Sequence, residues 1–187
     1  MKKIKSISLI LLYILISSFN TTDYLYKVST QQVLKSYKLY SERLEISLPS
    51  EFSLMSEEIK KVKYPTSDPN AIIVCTNEQS TINVLLDLSK NPLSQNGLPN
   101  ILSQIQSEFS RIPEIQLEKA EMQLINGKNV VVIEFISEAM DGKVYNLMCI
   151  TDIDGHTFTS NFNCTIDNMP KWKPIGNQIL NSLKELK

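Results

Sequence analysis

The chain has 187 residues, 42% of them hydrophobic and 21% charged, with 19 basic and 20 acidic side chains and a net charge of −1. That balance provides no basic footprint for displacing counterions, which excludes broad nucleic-acid binding. The length is enough for one ordinary domain with a real core, and five scattered glycines leave no glycine-rich phosphate loop.

The first 18 residues read as an export signal. Lys2, Lys3 and Lys5 precede an apolar run from Ile7 to Ile16, short of the roughly 20 residues a membrane span needs. "ISSFN" offers Ser18 for cleavage without a clean pair of small residues, so both cleavage and retention as an anchor fit. The first cysteine is Cys75, too far along for lipid attachment behind the signal. Without residues 1–18 the chain carries 16 basic and 20 acidic side chains. The periplasm or cell envelope is the expected location, with secretion as an option. Residues 19–43 are polar and dotted with tyrosines; they read as a tether, with a short helix around Gln31 to Lys38.

From residue 44 the pattern becomes that of a folded domain, expected over 44–187. "LEISLP" (44–49) reads as a strand. In "EFSLMSEEIKKVKYPTSDP" (51–69), Ser56 can cap a short helix with acids in its first turn and lysines in its last, an order that suits the helix dipole. Ile59 and Val62 would face inward, Lys60, Lys61 and Lys63 outward, and Glu57 would pair with Lys61. Pro65 stops the helix. "AIIVCTN" (71–77) and "TINVLLDLS" (81–89) are strand candidates joined by "NEQS".

A helix follows in "LPNILSQIQSEFSRI", where Leu98, Ile101, Leu102, Ile105, Phe109 and Ile112 recur at spacings of three and four. Next come three hairpin dipeptides, Asn126-Gly127, Asp141-Gly142 and Asp154-Gly155, of the kind that type I′ turns prefer. They predict an antiparallel meander of strands near 115–124, 129–138, 143–151 and 157–165. "VVVIEF" (130–135) is apolar on both faces, as a strand covered on both sides requires. "PIGNQILNSLKEL" predicts a last amphipathic helix.

Residues placed symmetrically about Asp154-Gly155 face each other, which sets Cys149 opposite Ser160 and Cys164 opposite Tyr145. The two cysteines share a face but lie about 13 Å apart along the strand, beyond the roughly 7 Å a disulfide spans. All three cysteines read as buried thiols.

The stretch from Pro49 also carries a family resemblance. Pro49, Phe52, Met55, Glu57, Lys63, Tyr64, Pro65 and Pro69, then a strand pair, helix, meander and C-terminal helix, resemble the PsbP/DcrB-like family over about residues 44–186. Its superfamily includes a yeast Ran-binding nuclear import factor. The resemblance implies an α+β fold: a largely antiparallel six- or seven-stranded sheet with helices on both faces, an αβα sandwich. Members range from photosystem accessory subunits to envelope lipoproteins and secretion-effector chaperones, most without known enzymatic activity. Lipid anchoring is not carried over, because the anchoring cysteine is missing.

Signs of chemistry are few. His156 is the only histidine and sits just past a turn, an exposed hairpin position. "DIDG" (152–155) departs from a calcium loop at its fifth, sixth and twelfth positions, where His156, Thr157 and Asn163 stand. No serine occupies a nucleophile elbow. No catalytic, metal or cofactor residue is assigned. "KWKP" (171–174) places Trp172 between two lysines, as a cap on the core edge or a contact. Lys61, Lys63, Tyr64 and Trp172 are the candidates for touching a partner. The expected function is a non-enzymatic, exported accessory or chaperone-like domain that binds a protein or an apolar ligand. The alternatives are an enzyme with a scattered carboxylate-based hydrolytic site and a cytosolic chaperone-like protein.

Overall fold

Val130 and Val132 are buried in one hydrophobic cluster and Val131, Ile133 and Phe135 in another, because alternate side chains of a strand point to opposite faces. That strand lies inside a sheet covered on both sides. A computed structural model describes residues 32–65, 67–68, 71–139 and 142–186, and one compact unit begins at Leu34. The export signal expected at residues 1–18 lies outside the described residues, as does the start of the expected tether.

The elements run β1 (Leu34–Leu39), β2 (Leu44–Pro49), β3 (Ser53–Leu54), α1 (Glu57–Lys63), β4 (Ile72–Thr76), β5 (Ile82–Pro92), α2 (Leu98–Phe109), β6 (Ile115–Ile125), β7 (Lys128–Ala139), β8 (Gly142–Ile153), β9 (His156–Thr165), α3 (Met169–Asn181) and β10 (Lys184–Glu185). A seven-stranded sheet has the order β3-β4-β5-β9-β8-β7-β6, every neighbouring pair antiparallel. β2 lies between β1 and β10 in a second, three-stranded sheet. The α+β fold with helices on both faces is the one expected.

The meander follows the turn chemistry. Asn126, Gly127, Asp154 and Gly155 all have positive φ, as a type I′ turn needs, and Cys149 faces Ser160 while Cys164 faces Tyr145. Cys75, Cys149 and Cys164 are all free thiols.

The main core lies between one face of the large sheet, α3 and β2. Leu44, Ile46, Val84, Phe158, Phe162 and Ile179 are at most 2% exposed there. On the opposite face α2 buries its apolar stripe on β6, β7 and β8, and α1 lies over the β4–β5 end.

Three expectations need correction. A strand, β1, stands where a tether with a short helix was expected. It pairs with β2 from Leu34–Pro49 to Leu39–Leu44, after a turn in which Tyr40, Ser41 and Glu42 are all left-handed. α3 begins at Met169 rather than near Pro174. Pro174 therefore lies inside the helix, where it removes the bond its N–H would have made to Pro170 O. At the other end α3 stops at Asn181, where the Ser182 hydroxyl accepts from Ser47 N (2.8 Å) and donates to Ile179 O. Lys184 and Glu185 then pair with β2.

The third correction is the orientation of α1. Ser56 caps it, accepting from Ile59 N, but Ile59 and Val62 are 41% and 58% exposed and Lys60 only 7%. In so short a helix the flanking residues set the face. Met55 before it and Tyr64 after it pack with Ile72 and Val74, which turns Lys60 inward. The Lys60 stem lies along this surface while its ammonium meets Glu57 at 2.6 Å, not the expected Lys61–Glu57 pair, and reaches towards Ile72 O.

Candidate functional site

Between the C-terminal end of α1 and the ends of β5, β7, β8 and β9, no helix among the described residues covers the large sheet. Here asparagines replace apolar side chains on the face away from the main core. Asn83, Asn163 and Asn146 sit directly opposite one another across β5, β9 and β8, and Asn161 lies one step along β9. Asn83, Asn146 and Asn163 are at most 8% exposed. With Tyr64, Lys63 and Val62 on one side and Ser137 and Val144 on the other, they line a cleft of about 250 Å³.

The amides are locked to one another. Thr76 Oγ1 donates to Asn83 Oδ1 (2.7 Å), and Asn83 Nδ2 donates to Asn163 Oδ1 (2.9 Å). Asn163 in turn hydrogen-bonds Tyr64, whose phenol burial pushes up in pKa against that bond. In a second chain Asn161 Nδ2 donates to Asn146 Oδ1 (3.1 Å), and Asn146 Nδ2 donates to Ser137 Oγ (3.0 Å) and Val144 O (3.2 Å). One buried atom is left over: Asn161 Oδ1 accepts no hydrogen bond. Among the described residues the cleft lining holds amides, hydroxyls, small apolar groups and a lysine, with no carboxylate, imidazole or thiol. Such groups orient a polar ligand through fixed donors and acceptors.

Of the sequence candidates, Lys63 and Tyr64 line this cleft and Lys61 stands exposed on α1 beside it. Trp172 is apart from them, 5% exposed in the main core with its ring 5.7 Å from that of Phe52. His156 is an exposed hairpin residue whose Nδ1 contacts Asp154 O. The four asparagines went unnoticed in the sequence. Their cue was a run of strand-disfavoured residues at positions alternating with core residues: "INVLL", "VYNLM" and "SNFNC".

Carboxylates cluster elsewhere and are already engaged. Buried Glu134 accepts from the Tyr145 hydroxyl at 3.0 Å and meets Lys173 at 2.5 Å. Asp152 and Glu185 both hold Lys128, at 3.2 and 2.7 Å. Among the described residues no group of three or more His, Cys, Asp or Glu side chains is placed to hold a metal ion.

No protein-family sequence model and no curated protein sequence matches the chain. Solved structures do. The solution structure of cyanobacterial PsbP (CyanoP) from Synechocystis sp. PCC 6803 superposes with a TM-score of 0.56 at 14% identity, over 82% of this chain and 92% of that one. The Saccharomyces cerevisiae Ran-binding protein Mog1p gives 0.52 at 8% identity, over 83% and 96%. LpqN of Mycobacterium tuberculosis, involved in cell envelope biogenesis, gives 0.51 at 10% identity, over 91% and 99%. At these identities the likeness is one of fold, and the chain has the PsbP- and Mog1p-like fold that its "F-x-L-M … K-Y-P" stretch implied.

Proposed function

We propose that this chain is a non-enzymatic binding domain of the exported cell envelope, and that it engages its partner at the asparagine cleft. The observation that carries the reading is the cleft's construction. Buried amides are fixed by their neighbours on three rigid strands, and with Tyr64, Ser137 and Val144 they line a small hollow. Proton transfer needs a group that titrates near the working pH; amides do not, but they are good at holding and orienting. Export rests on the lysine-led apolar run at residues 1–18 and fits the envelope role given for LpqN. A wholly apolar ligand suits the cleft poorly, because it would leave the amides without partners.

The test uses a photo-crosslinking residue in place of Val62, at the cleft rim, in the native host. An adduct that disappears in an Asn161→Ala background, with no adduct from the same residue at exposed Lys38, supports the reading. Intact-mass analysis of the native protein checks export. A full-length cytosolic chain that gives no cleft adduct overturns the proposal.

A further inference from the structure

β6 is the last strand of the large sheet among the described residues. The direction of its hydrogen bonds follows from the turn behind it. Asn126 and Gly127 make a two-residue hairpin in which Ile125 faces Lys128. Those two residues exchange both main-chain bonds, and the same holds for every second residue back along the strand. Gln123 and Glu121 therefore bond β7, while Leu124, Met122 and Ala120 turn their N–H and C=O groups away from it. In keeping with that direction, Gln106 of α2 donates to Ala120 O at 3.2 Å, which leaves the carbonyl its second lone pair.

The two halves of this edge differ. Towards its start, the register shifts between Leu117 and Lys119, with Glu118 as the bulged residue. Bulges and edge lysines are devices by which sheets refuse a further strand. From residue 120 to 124 the register is regular and carries neither device. Ala120 and Met122 pack on the α2 face. Leu124 shares that face by alternation and is 72% exposed. The opposite face carries Glu121 and Gln123.

This segment is complementary to itself. Let a second copy run antiparallel with Met122 opposite Met122. Ala120 of each copy then meets Leu124 of the other, so the α2 face becomes one apolar ladder that covers both leucines. On the other face Glu121 of each copy meets Gln123 of the other. Gln123 already donates to Glu121 of its own strand at 2.8 Å, and its amide keeps a second N–H for the facing carboxylate. Neighbouring registers are worse. Centring on Glu121 sets two carboxylates opposite each other, which destabilises a strand pair. Centring on Ala120 draws the Glu118 bulge into the ladder, and centring on Gln123 sets Ala120 against the turn residue Asn126.

We infer that residues 120–124 of β6 are a self-association edge, through which two copies of this chain pair antiparallel about Met122 and join their large sheets. A contact of this size gives a weak, concentration-dependent dimer. The edge is separate from the asparagine cleft, so the inference does not rest on the function proposed above.

The test is sedimentation equilibrium of the full chain at up to about 1 mM, beside Leu124→Lys. A monomer–dimer equilibrium is expected, weakened at least tenfold by Leu124→Lys, whose exposed position spares the fold. Disulfide trapping in a Cys75→Ser background reads the register. Facing residues of a hydrogen-bonded pair have Cα atoms about 5.5 Å apart, within disulfide reach, whereas the two Ala120 positions would lie about 13 Å apart. Met122→Cys should therefore form a covalent dimer on mild oxidation at least tenfold faster than Ala120→Cys. A chain that stays monomeric throughout overturns the inference. So does an association that Leu124→Lys leaves unchanged, because it would lie on another surface. Faster trapping of Ala120→Cys overturns the pairing about Met122, and the inference with it.

Discussion

Gly176 of α3 lies against the ring of Phe162 on β9, so close that a β-carbon at Gly176 would stand 2.6 Å from Cδ1 of the ring. Phe162 is 2% exposed and fixed within the main core, so the ring has nowhere to move. The glycine is what allows α3 to approach the sheet. Gly176→Ala is expected to destabilise the fold by about 1–3 kcal/mol through overpacking, despite alanine's better helix propensity. Urea unfolding measures this. The two sites should be non-additive: Phe162→Leu should cost less in the Gly176→Ala background than alone.

The cysteines give a pH prediction. Burial pushes the Cys149 thiol up to about 11 and Cys164 up to about 12, against about 8.5 for an unfolded thiol. Between those values the unfolded chain has lost protons that the native chain still holds. Stability is therefore full below about pH 8.5 and falls as pH rises towards 11. Tyr40 and Tyr145, also raised mainly by burial, extend the decline further. Chemical denaturation from pH 7 to 10.5 should show this slope, and Cys149→Ala with Cys164→Ala should shrink its onset below about pH 10, leaving the part due to Cys75, whose thiol burial also raises. Native Cys149 should react with a thiol reagent only on unfolding.

How much of this was readable before the structure depended on how local each signal was. The meander followed from Asn126-Gly127 and Asp154-Gly155 because a positive-φ turn fixes register by itself, and so the facing of Cys149 and Ser160 was readable too. β1 was missed because its turn uses Tyr40, Ser41 and Glu42, residues that do not advertise left-handed backbone. β10 is two residues long and exists only by pairing with β2. At the site, Lys63 and Tyr64 stood out through the "K-Y-P" resemblance. Asn83, Asn146, Asn161 and Asn163 are scattered over 80 positions and become a site only when β5, β9 and β8 lie side by side.

Lys60 tests why α1 turned over. If its stem fills the surface beside Met55 and Ile72 while its ammonium serves Glu57, Lys60→Met keeps the packing and loses the polar contacts of the ammonium, the Glu57 ion pair and the reach to Ile72 O among them. Lys60→Met should therefore destabilise the fold only modestly, because the larger part of the side chain is retained. Lys60→Asp leaves an acid against the apolar surface and should cost several times more. If the helix instead followed the sequence pattern, with Ile59 and Val62 inward, both substitutions would be neutral and Val62→Asp would be severe. Thermal unfolding of the three variants separates the two arrangements.

Lys128 ties β10 to the large sheet. Its ammonium donates to Asp152 O at 2.6 Å and meets Glu185 at 2.7 Å, and Glu185 also accepts from Asp154 N at 3.0 Å. Hydrogen bonds to charged groups contribute about 1.5–3 kcal/mol, and these groups are all partly buried. Lys128→Ala should therefore lower stability by about 2 kcal/mol and speed hydrogen exchange at Leu186, whose N–H bonds Arg43 O, before it affects β8 or β9. Equal protection loss throughout the sheet would mean that Lys128 supports the whole fold instead of this one junction.

Asn83, paired at both ends, contrasts with Asn161, whose Oδ1 is buried and unpaired. Asn83 Oδ1 accepts from Thr76 and Asn83 Nδ2 donates to Asn163, so both ends are spent inside the protein. Asn83→Ala strands Asn163 Oδ1 in a buried setting, while Thr76 Oγ1 keeps the carbonyls of Asn77 and Ile82 as acceptors. A loss of about 1–3 kcal/mol in denaturant unfolding is expected for the unsatisfied group, the lower figures applying if water enters and bridges the gap. Asn161→Ala likewise takes the donor from Asn146 Oδ1, but Asn161 is the less buried residue and its own Oδ1 is already unpaired, so its cost should be the smaller of the two. Equal losses from the two variants would show that Asn161 Oδ1 is satisfied in solution.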